Sequence, residues 1–109
     1  ETPGGRHLVE VKGVTLEEGG RAFFPDAPTE RGVRHIRELI RAAAEGLDAT
    51  LFFVVQMNGI ASVSPNDRTH PAFGQALREA AAAGVRICAR TCRVGPDRLE
   101  MDRPVPVIF

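Results

Sequence analysis

The sequence predicts an α/β fold, a mixed central sheet flanked by two main helices. Three observations carry this. Apolar residues recur at period two in short segments (Val9 and Val11; Val85, Ile87 and Ala89), as in strands. The segment Thr50-Leu51-Phe52-Phe53-Val54-Val55-Gln56 is nearly continuous and apolar, as in a central strand covered on both faces. Two further stretches repeat their apolar residues at the helical period, and each stops at a glycine.

Taken in order, His7 to Lys12 is a strand, extended past Gly13 through Val14-Thr15-Leu16. In this strand Glu10 and Lys12 point to one face and Val9 and Val11 to the other. Glu17-Glu18-Gly19-Gly20 is a turn, and residues 21–28 are extended chain and loop interrupted by Pro25 and Pro28. Thr29 is an N-cap, and Glu30 places a negative charge at the positive end of the helix that follows. That helix reaches Glu45, with Gly46 beyond it and an apolar stripe of Val33, Ile36, Leu39, Ile40 and Ala43. A strand over Ala49 to Gln56 comes next, then a loop from Met57 to His70. A second helix begins near Pro71, capped by Thr69 or Asp67, packs through Phe73, Ala76, Leu77 and Ala80, and ends at Gly84. Val85 to Val94 is a strand, Gly95-Pro96-Asp97 a hairpin turn, and Leu99-Glu100-Met101 the returning strand. The prolines of the tail from Pro104 to Phe109 assign it to an edge.

With 109 residues, 43 % of them hydrophobic, the chain has the size of one domain with one core. Its 14 basic and 14 acidic residues cancel, so net charge selects no partner. Lys12 is the sole lysine; every other cation is arginine, the better residue for bidentate phosphate contacts, although a GC-rich genome gives the same bias. The absence of Trp and Tyr argues against a stacking platform for single-stranded nucleic acid. There is no apolar run of about 18 residues to cross a membrane. Cys88 and Cys92, four apart on a strand, stand about 13 Å apart, too far to pair. Two reduced thiols fit a cytoplasmic protein. The opening Glu1-Thr2-Pro3-Gly4-Gly5, without an initiator Met, reads as a piece of a longer protein.

The candidate chemistry begins at Glu10 and Lys12. Side by side on a strand, a carboxylate and an amine are what metal-dependent phosphodiester cleavage needs, the acid to hold Mg²⁺ and the cation to orient the attacking water. A solvated surface pair has the same pattern. Asp26 and Glu30 are candidates for further metal-holding acids; their plainer roles are a turn residue and a first-turn helix charge. Arg31, Arg34, Arg37 and Arg41 form a candidate basic stripe for a phosphate backbone. The alternative is a solvated helix with Arg34–Glu38 and Arg41–Glu45 pairs. His35, beside the apolar stripe, is expected to be a half-buried packing residue. Gln56, polar at the end of a buried strand, either bonds near the active face or caps a loop.

Val9-Glu10-Val11-Lys12-Gly13-Val14-Thr15-Leu16, Phe24-Pro25-Asp26-Ala27-Pro28-Thr29-Glu30-Arg31-Gly32 and His35 with Arg37-Glu38-Leu39 resemble the sugar fermentation stimulation protein A (SfsA) family. Ala43-Ala44-Glu45-Gly46, Phe53-Val54-Val55-Gln56 and Ala80-Ala81-Ala82-Ala83-Gly84-Val85 extend the resemblance over nearly the whole chain. The resemblance implies a bacterial or archaeal cytoplasmic protein with an N-terminal OB-fold domain and a C-terminal domain similar to PD-(D/E)xK nucleases. Residues 1–109 would be that C-terminal domain, with a restriction-endonuclease-like core and without the OB-fold. It further implies DNA binding and a link to regulation of sugar, notably maltose, metabolism. Glu10 and Lys12 match the Glu and Lys of the nuclease pattern, whose preceding acid lies on a strand before this chain begins. The expected function is DNA binding with Mg²⁺-dependent phosphodiester hydrolysis. The alternatives are a non-catalytic DNA-binding regulator and an interaction domain that packs on the OB-fold.

Overall fold

Two parallel crossovers organise the molecule. The computed structural model describes residues 7–94 and 99–109. Along the chain come β1 (His7–Val14), β2 (Leu16–Glu18), β3 (Arg21–Phe24), α1 (Glu30–Ala44), β4 (Asp48–Val55), β5 (Ser62–Pro65), α2 (Pro71–Ala82), β6 (Arg86–Val94) and β7 (Leu99–Val105). The main sheet has the order β1-β4-β6-β7. β1, β4 and β6 are mutually parallel, and β7 returns antiparallel to β6. Parallel neighbours require a crossover, and helices α1 and α2 supply it. A smaller sheet, β2-β3-β5, is tied to the tail by a bridge between Val63 and Val107.

Both helices begin and end as their sequences dictate. The Thr29 hydroxyl accepts from the Gly32 N–H at 2.9 Å and caps α1. Gly46 and Gly84 adopt φ of 85° and 96° just past the two helices. There the Leu47 and Val85 amides reach back to the Ala42 and Ala80 carbonyls, closing each helix in a Schellman turn. The cap of α2 differs from expectation: it is His70, which makes no side-chain cap bond. Asp67 is instead paired with Arg78 at 2.8 Å, and His70 Nδ1 accepts from the Thr29 N–H at 3.1 Å.

The core lies between the helices and one face of the main sheet. Ile36 and Leu39 of α1, and Phe73, Ala76, Leu77 and Ala80 of α2, share one core with Leu51, Phe53 and Val55 of β4. On the opposite face of β4, Phe52 and Val54 are only partly buried, so this central strand is covered fully on one side rather than both.

Val9 and Val11 are 46 % and 56 % exposed. Register places Glu10 beside Leu51 and Lys12 beside Phe53, so the polar pair shares the helix-covered face and the valines take the bare one. Among the described residues β1 lies at the edge of the main sheet, and of the sheet's strands α1 packs chiefly on its neighbour β4. The rim of the covered face is therefore wet enough for charge. The loop expected from Met57 to His70 contains β5, whose four residues pair in parallel with β3. The Gly95-Pro96-Asp97 turn lies outside the described residues.

Candidate functional site

The polar pair of β1 sits under the edge of α1. Strand alternation puts Glu10 and Lys12 on one face, and Lys12 Nζ is 3.5 Å from Glu10 Oε1. α1 adds a third group, the His35 ring. Its Nδ1 is 2.7 Å from Lys12 Nζ and 3.0 Å from Glu10 Oε1. All three side chains are partly shielded, with 14 % of Lys12, 18 % of His35 and 32 % of Glu10 exposed. Glu10, the most open of them, is the one whose carboxylate a solvent-borne cation can reach.

His35 was expected only to pack. It follows Arg31 by one helical turn and precedes Leu39, 1 % exposed, by another, which sets it on the flank of the apolar stripe, turned toward β1. A polar ring on that flank, opposite a strand with alternating charges, was the available signal. The partner lies 23 residues earlier in the chain, and no local pattern supplies that distance.

The other candidates are arranged differently. Asp26 is exposed in the loop after β3, and Glu30 is exposed in the first turn of α1. They do not join Glu10 in a cluster: among the described residues no three His, Cys, Asp or Glu side chains come together to hold a metal ion. Arg31, Arg34 and Arg41 are exposed along α1. Arg37 is turned onto α2, where its guanidinium holds Glu79 through both nitrogens at 2.7 and 3.4 Å. That bond raises the Arg37 pKa and lowers that of the Glu79 carboxyl. Gln56 is exposed beyond β4, its carboxamide next to Gly13. Cys88 is half-buried and Cys92 is buried, and neither is in a disulfide. Among the described residues no helix is long and apolar enough to cross a membrane.

As a donor set, Glu10 suits a hard divalent cation. Mg²⁺ keeps most of its waters and is commonly held by one or two carboxylates, so it does not require a cage of protein ligands.

The RE domain model of the sugar fermentation stimulation protein family matches residues 1–98. The chain belongs to this family. A sugar fermentation stimulation protein homolog of Desulfitobacterium hafniense strain Y51 is 56 % identical over 93 residues, which cover 85 % of this chain and 41 % of the relative. The homolog of Clostridium perfringens strain SM101 is 48 % identical over 103 residues, covering 94 % and 45 %. Among solved structures, Pyrococcus furiosus SfsA in complex with Ca²⁺ superimposes with a TM-score of 0.90 at 32 % identity, over 94 % of this chain and 45 % of that one. The chain thus spans under half the length of these SfsA relatives and shares the mixed α/β fold of the Pyrococcus furiosus structure.

Proposed function

We propose that this SfsA domain binds DNA and cleaves its phosphodiester backbone with Mg²⁺. The observation that carries the reading is the approach of Lys12 Nζ to Glu10 Oε1, 3.5 Å, on the partly open rim of the sheet. A hard divalent cation polarises a phosphoryl oxygen and makes a bound water a better nucleophile near neutral pH. Glu10 is the residue that holds it. The Lys12 ammonium orients the attacking water and balances negative charge growing on the phosphorus centre, from a position fixed before the substrate arrives. Arg31, Arg34 and Arg41 guide the phosphate backbone along α1, with Arg37 committed to Glu79. The Ca²⁺ bound by the Pyrococcus furiosus relative supports a hard cation, because Ca²⁺ and Mg²⁺ both take oxygen ligands. The remainder of the longer protein, including the expected OB-fold domain, is the proposed intramolecular partner, and sugar metabolism the proposed context.

The test is nicking of supercoiled plasmid by the full-length protein with and without Mg²⁺. Lys12→Glu is expected to lower the rate by at least about 10²-fold, the loss typical of one electrostatic group at a reacting centre. Cleavage by this variant at the original rate overturns the assignment. Salt-sensitive DNA binding with no cleavage by the unaltered protein makes it a regulator instead.

A further inference from the structure

We infer that His35 is a positioning residue for Lys12: its unprotonated Nδ1 accepts a hydrogen bond from the ammonium and fixes it against Glu10. This deepens the reading above and rests on it for its catalytic consequence. A ring nitrogen offers either a proton or a lone pair in the ring plane, never both. A charged lysine has only protons to offer. The 2.7 Å contact is therefore a bond from Lys12 Nζ to His35 Nδ1, and the ring proton of a neutral His35 sits on Nε2. With the proton on Nδ1 instead, two donors would confront each other at that distance. Glu10 Oε1, 3.0 Å from the same Nδ1, is then a second acceptor. The ammonium that both acceptors face, 3.5 Å from Oε1, is what makes their proximity favourable.

The need for such a hold comes from lysine itself. Its four-carbon stem samples many rotamers, and an amine tethered only by a carboxylate follows that carboxylate wherever it turns. His35 supplies a fixed point. It is carried by α1, which Ile36 and Leu39, 0 % and 1 % exposed, anchor in the core, so the backbone beneath the ring holds its place. With its amine held on two sides, Lys12 keeps a constant place beside Glu10 when a cation occupies the carboxylate.

Packing alone would be served by any apolar side chain of similar size. Positioning demands an acceptor at the Nδ1 place, one bond beyond Cγ. Asparagine puts its Oδ1 there, whereas glutamine reaches further, toward the place of Nε2. In the full-length protein, His35→Leu is expected to lower kcat of Mg²⁺-dependent plasmid nicking about 10- to 100-fold, as for other groups that orient a reacting residue, with KM for DNA little changed. His35→Asn is expected to recover most of that loss, and His35→Gln little of it. Equal activity of the Leu and Asn variants overturns the inference. A second measurement needs no variant and no activity: the ¹⁵N shifts of the His35 ring in the unaltered protein at neutral pH. The expected pattern is a protonated Nε2 and a hydrogen-bonded, unprotonated Nδ1; a proton on Nδ1 overturns the inference. If the unaltered protein cuts no DNA, the nuclease reading fails, while the ring shifts still decide the role of His35.

Discussion

Gly32 sits in the first turn of α1, where a missing Cβ does specific work. A Cβ placed there would come 2.8 Å from Thr29 Cγ2, 3.1 Å from the capping Oγ1 and 3.3 Å from Phe73 Cε1. The helix cap and the approach of α2 thus both depend on a bare backbone. Gly32→Ala gains up to about 1 kcal/mol of helix propensity. It also displaces a cap that contributes about 0.5–2 kcal/mol and crowds a ring 0 % exposed. Net destabilisation near 1 kcal/mol is expected in urea unfolding. Thr29→Ala should cost a similar amount, and the double variant less than the sum, since alanine at 29 removes the groups that the new Cβ strikes. Strict additivity would mean that the crowding comes from Phe73 alone. Thr29 as a cap was legible because capping is local, three residues wide. The closeness of Phe73 was not, because it enters from another helix. The same limit hid His35: its flank position was visible in the stripe, but its partners on β1 were not.

At the scale of elements, α1 and α2 are joined through a polar clasp at their outer rim as well as through their apolar faces. Arg37 donates to Glu79 and holds its carboxyl below the usual 4.5. A carboxyl whose pKa is lower folded than unfolded adds stability fully present above the unfolded value, which fades as pH falls through the native one. The unaltered protein should therefore melt slightly higher than Glu79→Gln at neutral pH, and the gap should close in acid, below the ordinary carboxylate range. A gap independent of pH would assign the effect to packing of the Gln side chain. Both groups are well exposed, so added salt should shrink the gap as well. The helices themselves were legible in sequence, with caps, stripes and terminal glycines agreeing. β5 was not, since Ser62–Pro65 is only four residues long, has Val63 as its one β-branched residue and ends in a proline; it is a strand because β3 lies alongside it. The strand identity of β1 was also legible, but not which of its faces is covered. Alternation fixes that Val9 and Val11 oppose Glu10 and Lys12; only the placement of α1 decides which pair goes inside.

For the whole molecule, that placement makes the two faces of the sheet unequal, and stability should report it. Phe53 and Val11 lie on adjacent strands, one residue apart in register, yet on opposite faces. Phe53 is 1 % exposed, in ring contact with Phe24 at 5.6 Å between centroids, and part of the core cluster to which both helices contribute. Phe53→Ala opens a cavity in that core and should cost about 3–5 kcal/mol. Val11, 56 % exposed, keeps more than half of its surface in water on folding. Val11→Ser should fall within about 0.5 kcal/mol of the unaltered protein, as exposed substitutions commonly do. Glu10 and Lys12 lie on the covered face with Phe53, so the core that Phe53 anchors also holds α1, and with it His35, over the polar pair. The cavity variant should then disturb the His35 ring signals even where the fold survives, and Val11→Ser should leave them unchanged. Should Val11→Ser instead cost as much as a core truncation, the valine face is covered in solution, and the one-sided architecture described above does not hold for the protein as tested.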